Sequence, residues 1–320
     1  MDYTVSGLIA QVRRLASIPD IATTGNANSD ILKHLNEALN LSIPAKVIAC
    51  REGFYRKVLD VPLTSFTTDR RYRMPYRALG GRVAAILLID SNGLVLRKLD
   101  ELPYARLREF YSLNDTAGYI MEAGDIVLVP AMPSSTAVSV RFIVYMRPNE
   151  LGDSAYLDVA GSTGLYYTVT AVNTSTGVIT LMASHGLTTS DRLDIIKGTA
   201  PFEHVSYDIY ASATASTTIT VADASCVTVG DVVCKAEKAP FAQVPDPFYP
   251  ILAQMGAANY LKALGDHAGY KRLMDELPKM EAEAIALISP RNEEGAKKIV
   301  GNFGSLGMVG GQYNRRYWGF

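Results

Sequence analysis

The four histidines are the first residues to consider for catalysis or metal binding. Imidazole performs these roles when a nucleophile, a carboxylate or further ligands stand at a suitable spacing from it. The chain contains no P-loop, HExxH, G-x-S-x-G or Cys–His metal spacing, and its histidines lie far apart, at His34, His185, His204 and His267. We therefore expect no catalytic residue, no metal site and no cofactor. Each histidine is expected to be structural, and His34, which lies off the apolar stripe of its predicted helix, is expected to be exposed.

The carboxylates Asp191 and Asp194 are the best candidates for a paired acid site. They flank Arg192 in a predicted strand. Successive side chains of a strand alternate between its two faces, so these two carboxylates are expected to point in opposite directions. That arrangement disfavours paired-carboxylate catalysis.

A basic band, "DRRYRMPYR" at residues 69–77, carries four arginines among two tyrosines. Interleaved arginine and aromatic residues suit a phosphate-bearing partner and a protein partner equally well. The alternative is a solvated face with no partner. The candidate residues for a channel or subunit contact are Arg70, Arg71, Arg73 and Arg77.

The C-terminal string "GMVGGQYNRRYWGF", residues 307–320, concentrates aromatic residues where no helix or strand is predicted. It holds the only Trp of the chain, two Tyr, a Phe and an Arg pair, separated by glycines. Large aromatic residues normally lie where a core buries them. Either the string is a frayed terminus, or it buries its rings in another protein.

Composition indicates a globular chain with unevenly distributed charge. The 320 residues are 48% hydrophobic with a net charge of −1, and no apolar run is long enough to span a membrane. Residues 51–82 hold eight Lys or Arg against three acids, and residues 151–240 hold four against nine. The first residues include an acid and follow a helical pattern, so we do not expect them to act as a secretion signal. Three cysteines without a CxxC motif, Cys50, Cys226 and Cys234, predict free thiols in a reducing compartment.

Hydrophobic periodicity predicts helices at both ends of the chain and strands between them. The N-terminal part gives a helix at 4–16 and a second at 29–50, with Ser29 or Asp30 as cap and a kink or end at Pro44. Strands follow at 54–62 and in an Asn92-Gly93 hairpin over 82–100. Next come a short helix at 100–113, capped by Asp100, and three strands within 118–148 that turn at Gly124-Asp125. Helical periodicity returns at Ile251, with a second helix over about 266–288.

Residues 151–239 differ in kind, because short Thr-, Ser- and Val-rich runs alternate with turn signals at the spacing of a small sandwich or barrel. The fold class we predict is α+β: a helical bundle with a small β-sheet, plus an inserted all-β sandwich or barrel module and a flexible C-terminal tail. The predicted divisions are a core at 1–150, the inserted module at 151–239, core-completing helices at 240–295 and an extended docking tail at 296–320.

Three segments in this order resemble the head-to-tail connector (adaptor or neck) proteins of tailed bacteriophages. The first is "YIMEAGDIVLVPAMPSSTAVSVRFIVYMRPNEL", with its Gly-Asp turn and its closing Tyr-x-Arg-Pro. The others are "VPDPFYPILAQMGAANYLKALGD" and "ALISPRNEEGAKKIV". The insertion at 151–239 departs from simpler adaptors, although "ITLMASHGLTTSDRLDIIKG" is similar to a small β motif of phage structural proteins.

The resemblance implies a structural virion protein, not an enzyme, that forms a ring, commonly of twelve copies, between portal and tail. The implied partners are the portal protein, a tail tube or nozzle protein and, transiently and without sequence preference, packaged DNA, with no membrane. The implied location is the virion neck, after assembly in the host cytoplasm. The C-terminal string then becomes a docking tail, with Tyr313, Arg315, Arg316, Tyr317, Trp318 and Phe320 as partner-docking residues.

Two other hypotheses about the function of the chain remain open. One is a tail-associated carbohydrate- or receptor-binding protein that uses the β module. The other is an enzyme of unrecognised type. Residues 151–239 contain no Trp and few Tyr outside predicted strands, which is unfavourable for a sugar site.

Overall fold

The fold is α+β, as the sequence predicted. The computed structural model describes residues 4–18, 25–63, 71–74, 77–106, 118–122, 124–129, 139–152, 166–200 and 202–289. The predicted tail at 296–320, with all six partner-docking residues, lies outside the described residues, as does Arg70. The helices are α1 (Val5–Leu15), α2 (Gly25–Glu37), α3 (Ile43–Cys50), α4 (Tyr249–Ala263) and α5 (His267–Ile288).

The N-terminal helices confirm the apolar periodicity but not every predicted end. Thr4 caps α1, its Oγ1 accepting a hydrogen bond from the Gly7 N–H at 3.2 Å. The second helix begins at Gly25, so the prediction of a cap at Ser29 or Asp30 is wrong. A π-helical turn, Ala38–Ser42, joins α2 to α3. Proline lacks an N–H and crowds the carbonyl four residues earlier, so the wider turn accommodates Pro44 without ending the helix.

The helices from the two ends of the chain share one core. Helix α4 packs against α1, α2 and α5. Gly256 allows the close approach, because a Cβ there would lie 2.7 Å from Leu35 Cδ2 and 3.5 Å from Val12 Cγ2. Both Leu35 and Val12 are fully buried. The core therefore depends on residues that are more than 200 positions apart in sequence.

The first sheet has the strand order β1-β7-β3-β4-β5-β6-β2. Its strands are β1 (Arg56–Pro62), β2 (Arg71–Arg73), β3 (Ala78–Ile89), β4 (Val95–Glu101), β5 (Gly118–Glu122), β6 (Asp125–Val129) and β7 (Ser139–Met146). In a flat sheet, β2 would lie roughly 24 Å from β7. Tyr72 of β2 nevertheless stacks on Phe142 of β7 with ring centroids 5.1 Å apart, so this sheet is curled.

The predicted helix at 100–113 is wrong over its described part. Strand β4 continues to Glu101, and only a short 3-10 turn follows, Tyr104–Arg106. Residues 107–113 lie outside the described residues. Asp100 is not a cap, because it pairs in parallel with Gly118 of β5. A Cβ at Gly118 would lie 2.3 Å from the Asp100 carbonyl oxygen, so glycine permits this pairing. Hydrophobic period and capping residues do not encode such a long-range contact.

The second sheet has the order β12-β11-β15-β9-β10-β14-β13. Its strands are β9 (Tyr166–Asn173), β10 (Val178–Leu181), β11 (Arg192–Ile196), β12 (His204–Tyr210), β13 (Ala213–Thr214), β14 (Thr218–Thr220) and β15 (Val232–Lys235). Strands β12 and β13 stand at opposite ends of this order, roughly 29 Å apart if the sheet were flat. Three residues of chain span at most about 11 Å, so the sheet curls to bring its two ends together.

An internal repeat builds this second sheet. Residues from about 178 to 195 match those forty positions later, and the matched strands pair with each other, β10 with β14 and β11 with β15. The matched pairs include Ile179 and Ile219, Leu187 and Val227, Thr188 and Thr228, Asp191 and Asp231, and Leu193 and Val233. The antiparallel pairing of equivalent strands gives the sheet an approximate twofold arrangement.

The two repeats also form equivalent hydrogen bonds in the turns that precede β11 and β15. Asp191 Oδ2 accepts from the Thr188 N–H at 2.8 Å and from the Thr188 hydroxyl at 3.0 Å. Asp231 Oδ2 accepts from the Thr228 N–H and hydroxyl at the same two distances. Each carboxylate thus closes the turn that precedes its strand. A repeat of similar sequence pattern and the same turn geometry indicates two copies of one structural unit.

Strands β11 and β15 are buried on both faces because the curled sheet packs against the helices. Leu193 and Val233 point into the interior of the curled sheet, whereas Ile196 and Cys234 belong to the helical core. Short strands β8 (Glu150–Leu151) and β16 (Lys238–Ala239) pair in parallel where the chain enters and leaves this region. The predicted boundaries of the inserted module stay a prediction, but its residues contribute to the same core as the helices.

Candidate functional site

A cleft of about 540 Å³ opens between the two curled sheets. Its walls come from β1, from β2 and the residue after it, and from β12, with one residue of β11. Clefts of this size at the junction of two structural units are common binding sites. The lining residues are Val58, Leu59, Asp60, Val61, Tyr72, Arg73, Met74, Arg192, Val205, Ser206, Tyr207 and Ile209.

Two edge strands form the long walls of the cleft. Among the described residues, β1 pairs only with β7 and β12 only with β11. The strands lie near each other, since Lys57 Nζ of β1 donates a hydrogen bond to the His204 carbonyl of β12 at 3.4 Å. Further along, Tyr207 of β12 and Leu59 of β1 pack against the same core of the first sheet.

The charges around the cleft are unequally neutralised. Asp60 accepts two hydrogen bonds of 2.7 Å from the Arg141 guanidinium, so its charge is matched. Arg192 forms an ion pair of 3.2 Å with Glu237. Arg73 is exposed and has no ion pair within the part of the chain that the structure describes. Arg73 is therefore the cleft-lining arginine whose guanidinium is not held in an ion pair within the described residues, although Asp125 lies opposite it on β6.

A buried polar network lies next to the cleft and connects the two sheets. Asn149 Nδ2 donates to Asp194 Oδ2 at 2.8 Å, and the backbone N–H of Asn149 donates to Gln243 Oε1 at 2.6 Å. His204 Nε2 donates to Asn149 Oδ1 at 2.8 Å, and the Glu237 N–H donates to Asp194 at 2.9 Å. Asn149 and Asp194 are 0% and 1% exposed. Satisfied buried networks of this kind fix the relative position of the elements that carry them.

Burial holds the His204 imidazole in its neutral form. Desolvation, with smaller contributions from the charges of Lys57 and Arg77, lowers the pKa of His204 from 6.5 to about 3. Burial also lowers the pKa of Lys57, partly offset by the nearby Glu203. His204 is thus a neutral hydrogen-bond donor at ordinary pH, in agreement with the structural role predicted for it.

The structure separates Arg77 of the predicted basic band from Arg71 and Arg73. Arg71 and Arg73 are exposed and lie two positions apart on β2, which places both on one face, and Arg71 forms a 2.6 Å ion pair with Glu122. Arg77 lies elsewhere. Its guanidinium donates to the Arg147 carbonyl at 3.1 and 3.3 Å and to the Glu237 carbonyl at 3.3 Å.

Arg77 therefore needs a correction. It was predicted as a channel or subunit contact, but it joins the first sheet to the region after β15 within the same chain. Burial lowers its pKa, while Asp194, Glu237 and Glu150 act in the opposite direction. Sequence spacing suggested one band because it could not reveal that β3 begins at Ala78 and turns the chain inward.

The remaining candidate residues have structural contacts. His34 is not exposed as predicted, because its ring meets Tyr260 edge-on across the interface of α2 and α4. His185 is buried; its Nε2 lies 3.2 Å from the Thr218 carbonyl and its Nδ1 accepts from the Leu187 N–H. Asp191 and Asp194 bind different partners, and Asp191 lies directly before β11 whereas Asp194 lies within it. All three cysteines are free thiols, as predicted, while the reducing compartment stays a prediction.

The described residues show neither a metal cluster nor a membrane-spanning helix. They contain no group of three or more His, Cys, Asp or Glu side chains arranged to hold a metal ion. None of the helices described is long and apolar enough to cross a membrane. Comparison with known proteins gave no match to any family model and no similar curated protein.

Proposed function

We propose that this protein is a structural virion protein of a tailed phage, a subunit of the ring that joins the portal to the tail and continues the DNA channel. The observation that supports the proposal best is that helices from the two ends of the chain pack together. Helices from residues 5–50 and 249–288 share one core, and all the strands come between them in sequence. Helices at both ends of the chain, with strands between them, are the order of elements that the connector resemblance implies, whereas the insertion at 151–239 departs from simpler adaptors.

Contacts between the resembling segments add support. The segment at 119–151 forms β5 to β8, and the segment at 244–266 forms the 3-10 turn Asp246–Phe248 and α4. Leu151 of the first segment and Val244 and Phe248 of the second belong to the same core. Gln243, directly before the second segment, also accepts a hydrogen bond from the Asn149 N–H of the first at 2.6 Å. The order in sequence that motivates the resemblance thus corresponds to a contact in space.

In this proposal, the exposed pair Arg71 and Arg73 lines the channel or contacts an adjacent subunit. Contacts with packaged DNA would be weak and independent of sequence, because the DNA must slide past. Reversal of both charges to Glu is expected to disturb ring assembly or genome retention. The matched control is the Glu double variant of Arg97 and Lys98, two exposed residues of β4. Equal assembly, genome content and infectivity of both variants would instead assign Arg71 and Arg73 to a solvated face.

The C-terminal residues are the proposed docking tail for the portal. Each large aromatic side chain offers roughly 1.5–3 kcal/mol on full burial, whereas ordering a backbone residue costs roughly 1–2 kcal/mol. One tail would bind marginally, and a ring of tails would bind through avidity. Deletion of residues 307–320 is expected to leave the melting temperature unchanged and to abolish attachment to filled heads. Retained attachment would exclude the docking role.

Sedimentation velocity of the purified full-length chain with the portal protein of the same virus tests the ring itself. The proposal predicts co-sedimentation as one large complex that contains several copies of the chain. Monomers in the absence of portal are compatible with the proposal, because such rings can assemble only on their partner. A chain that stays monomeric and ignores the portal contradicts it.

A second candidate function is a tail-associated carbohydrate- or receptor-binding protein. The cleft favours it, because β12 of the predicted module supplies Tyr207 and Ser206 beside Tyr72 of the first sheet. Aromatic faces with neighbouring hydroxyl groups suit sugar rings. A glycan array probed with the full-length chain tests this function. Binding that is lost in Tyr207→Ala and kept in Tyr104→Ala, an exposed tyrosine outside the cleft lining, would favour it.

A further inference from the structure

We propose that the cleft between the two sheets is a docking site for an extended acidic segment of a partner polypeptide, which adds as a strand between β1 and β12. The inference goes beyond the proposed ring, because it concerns a contact that a single chain can make. Strand addition uses backbone hydrogen bonds for affinity and alternate side chains for specificity.

The first supporting observation is that two strand edges border the cleft. Both β1 and β12 are edge strands within the described part of the chain, and each presents one row of N–H and C=O groups without a strand partner there. Four consecutive residues of β1, Val58–Val61, line the cleft, and so do Val205–Tyr207 of β12. A run of consecutive residues means that the strand edge itself borders the space.

The second supporting observation is the distance between β1 and β12. An inserted strand needs about 10 Å between its two neighbours, which is two strand spacings. The Lys57 side chain, five bonds of about 1.5 Å, reaches roughly 6 Å from its Cα. Its Nζ lies 3.4 Å from the His204 carbonyl oxygen. At this end the strands are therefore no more than about one inserted strand apart.

The side chains determine which segment fits. Arg73 supplies an exposed positive charge that forms no ion pair with any described residue, with Asp125 opposite it on β6, while Asp60 is already neutralised by Arg141. The apolar part of the lining includes Val58, Val61 and Ile209. Since strand side chains alternate between faces, the chemistry fits a segment in which acidic residues alternate with β-branched ones.

A peptide titration tests the proposal on the full-length chain without any portal, so its outcome is independent of the ring. The probe is a fluorescein-labelled peptide of sequence Thr-Val-Glu-Val-Asp-Val-Thr. We expect saturable binding that Arg73→Glu weakens at least tenfold. Arg97→Glu, the same charge reversal on exposed β4 outside the cleft lining, is expected to leave affinity unchanged within twofold. The companion peptide with Lys at both acidic positions is expected to bind Arg73→Glu better than it binds the unchanged chain.

Hydrogen exchange separates strand addition from a contact made only by side chains. Bound peptide is expected to slow amide exchange in residues 58–61 and 205–209, because edge amides gain backbone partners. Absence of peptide binding, equal effects of Arg73→Glu and Arg97→Glu, or binding without this protection would overturn the proposal. Preferential binding of single-stranded oligothymidylate or of an oligosaccharide over the acidic peptide would also overturn it.

Discussion

At the residue scale, Asp194 shows how the two sheets are held together. The two repeats of the second sheet differ here, since the position equivalent to Asp194 is Cys234. The Asp194 carboxylate accepts hydrogen bonds from Asn149 and from the Glu237 N–H in a fully buried setting. A departure from the repeat therefore marks the point at which the curled sheet is anchored to the rest of the chain.

Asp194→Ala tests this anchor. Loss of the carboxylate removes the acceptor of the Glu237 N–H and one of the two acceptors of Asn149 Nδ2, so we expect the free energy of unfolding to fall by about 2–4 kcal/mol. Asp223→Ala is the matched control, because Asp223 is exposed and accepts only local hydrogen bonds from Ser225. Its effect is expected to be below about 1 kcal/mol. Urea unfolding followed by circular dichroism measures both, and equal effects would contradict the anchoring role.

His204 gives a pH dependence at the same scale. The folded chain holds the pKa of His204 at about 3, against 6.5 unfolded, so the unfolded state binds the extra proton between these values. Stability from this residue is complete above pH 6.5 and is lost as the pH falls toward 3. From pH 6.5 to 4.5 the loss is about 2–3 kcal/mol. His204→Gln retains a donor for Asn149 without a titrating group, and is expected to lose less stability than the unchanged chain over that interval. Identical pH profiles would show that His204 does not control this dependence.

At the element scale, the contact of α4 with α1 and α2 depends on a single glycine. A larger side chain at Gly256 collides with buried Leu35 and Val12. Gly256→Val is expected to lower the free energy of unfolding by about 2 kcal/mol through overpacking. Ala263→Val, an exposed site on the same helix, should cost about 0.5 kcal/mol, the difference in helix propensity. Chemical denaturation of both variants checks the difference, and a smaller effect at 256 would contradict the close approach.

Physical reasons explain which elements could be predicted from the sequence. Local signals sufficed for α1, α4 and α5, for one helical segment at 29–50 that the structure forms as α2 and α3, and for the Asn92-Gly93 hairpin, where Gly93 has φ +78°. They failed at 100–113, where a parallel strand pairing overrides helical periodicity. The π-helical turn before Pro44 was not predicted either. The forty-residue repeat was visible in the sequence and required only a comparison of the chain with itself.

The candidate site was less predictable than the fold. Arg71 and Arg73 were identified by residue type, and they do lie together on an exposed strand. The cleft that Arg73 lines was not predicted, because its walls come from strands about 150 residues apart in sequence. Arg77 was grouped with them by spacing alone. Only the three-dimensional path of the chain separates an exposed arginine from one that binds backbone carbonyls.

At the scale of the whole molecule, the helices and the second sheet share a core. Ile196, Phe202 and Cys234 pack with residues of α1, α2 and α4. We therefore expect one cooperative thermal transition, with equal calorimetric and van't Hoff enthalpies. Removal of residues 153–238 behind a short linker should expose part of this core and lower the melting temperature. Two well-separated transitions would instead indicate an inserted module that folds independently.

The central claim is that this chain forms a ring on a portal. Electron cryomicroscopy of the full-length chain mixed with the portal of the same virus tests it most directly. The account predicts a closed ring of this chain seated on the portal, with residues 307–320 in grooves of the portal and a central channel wide enough for duplex DNA. Portal particles without added density, beside a chain that remains monomeric, would contradict it.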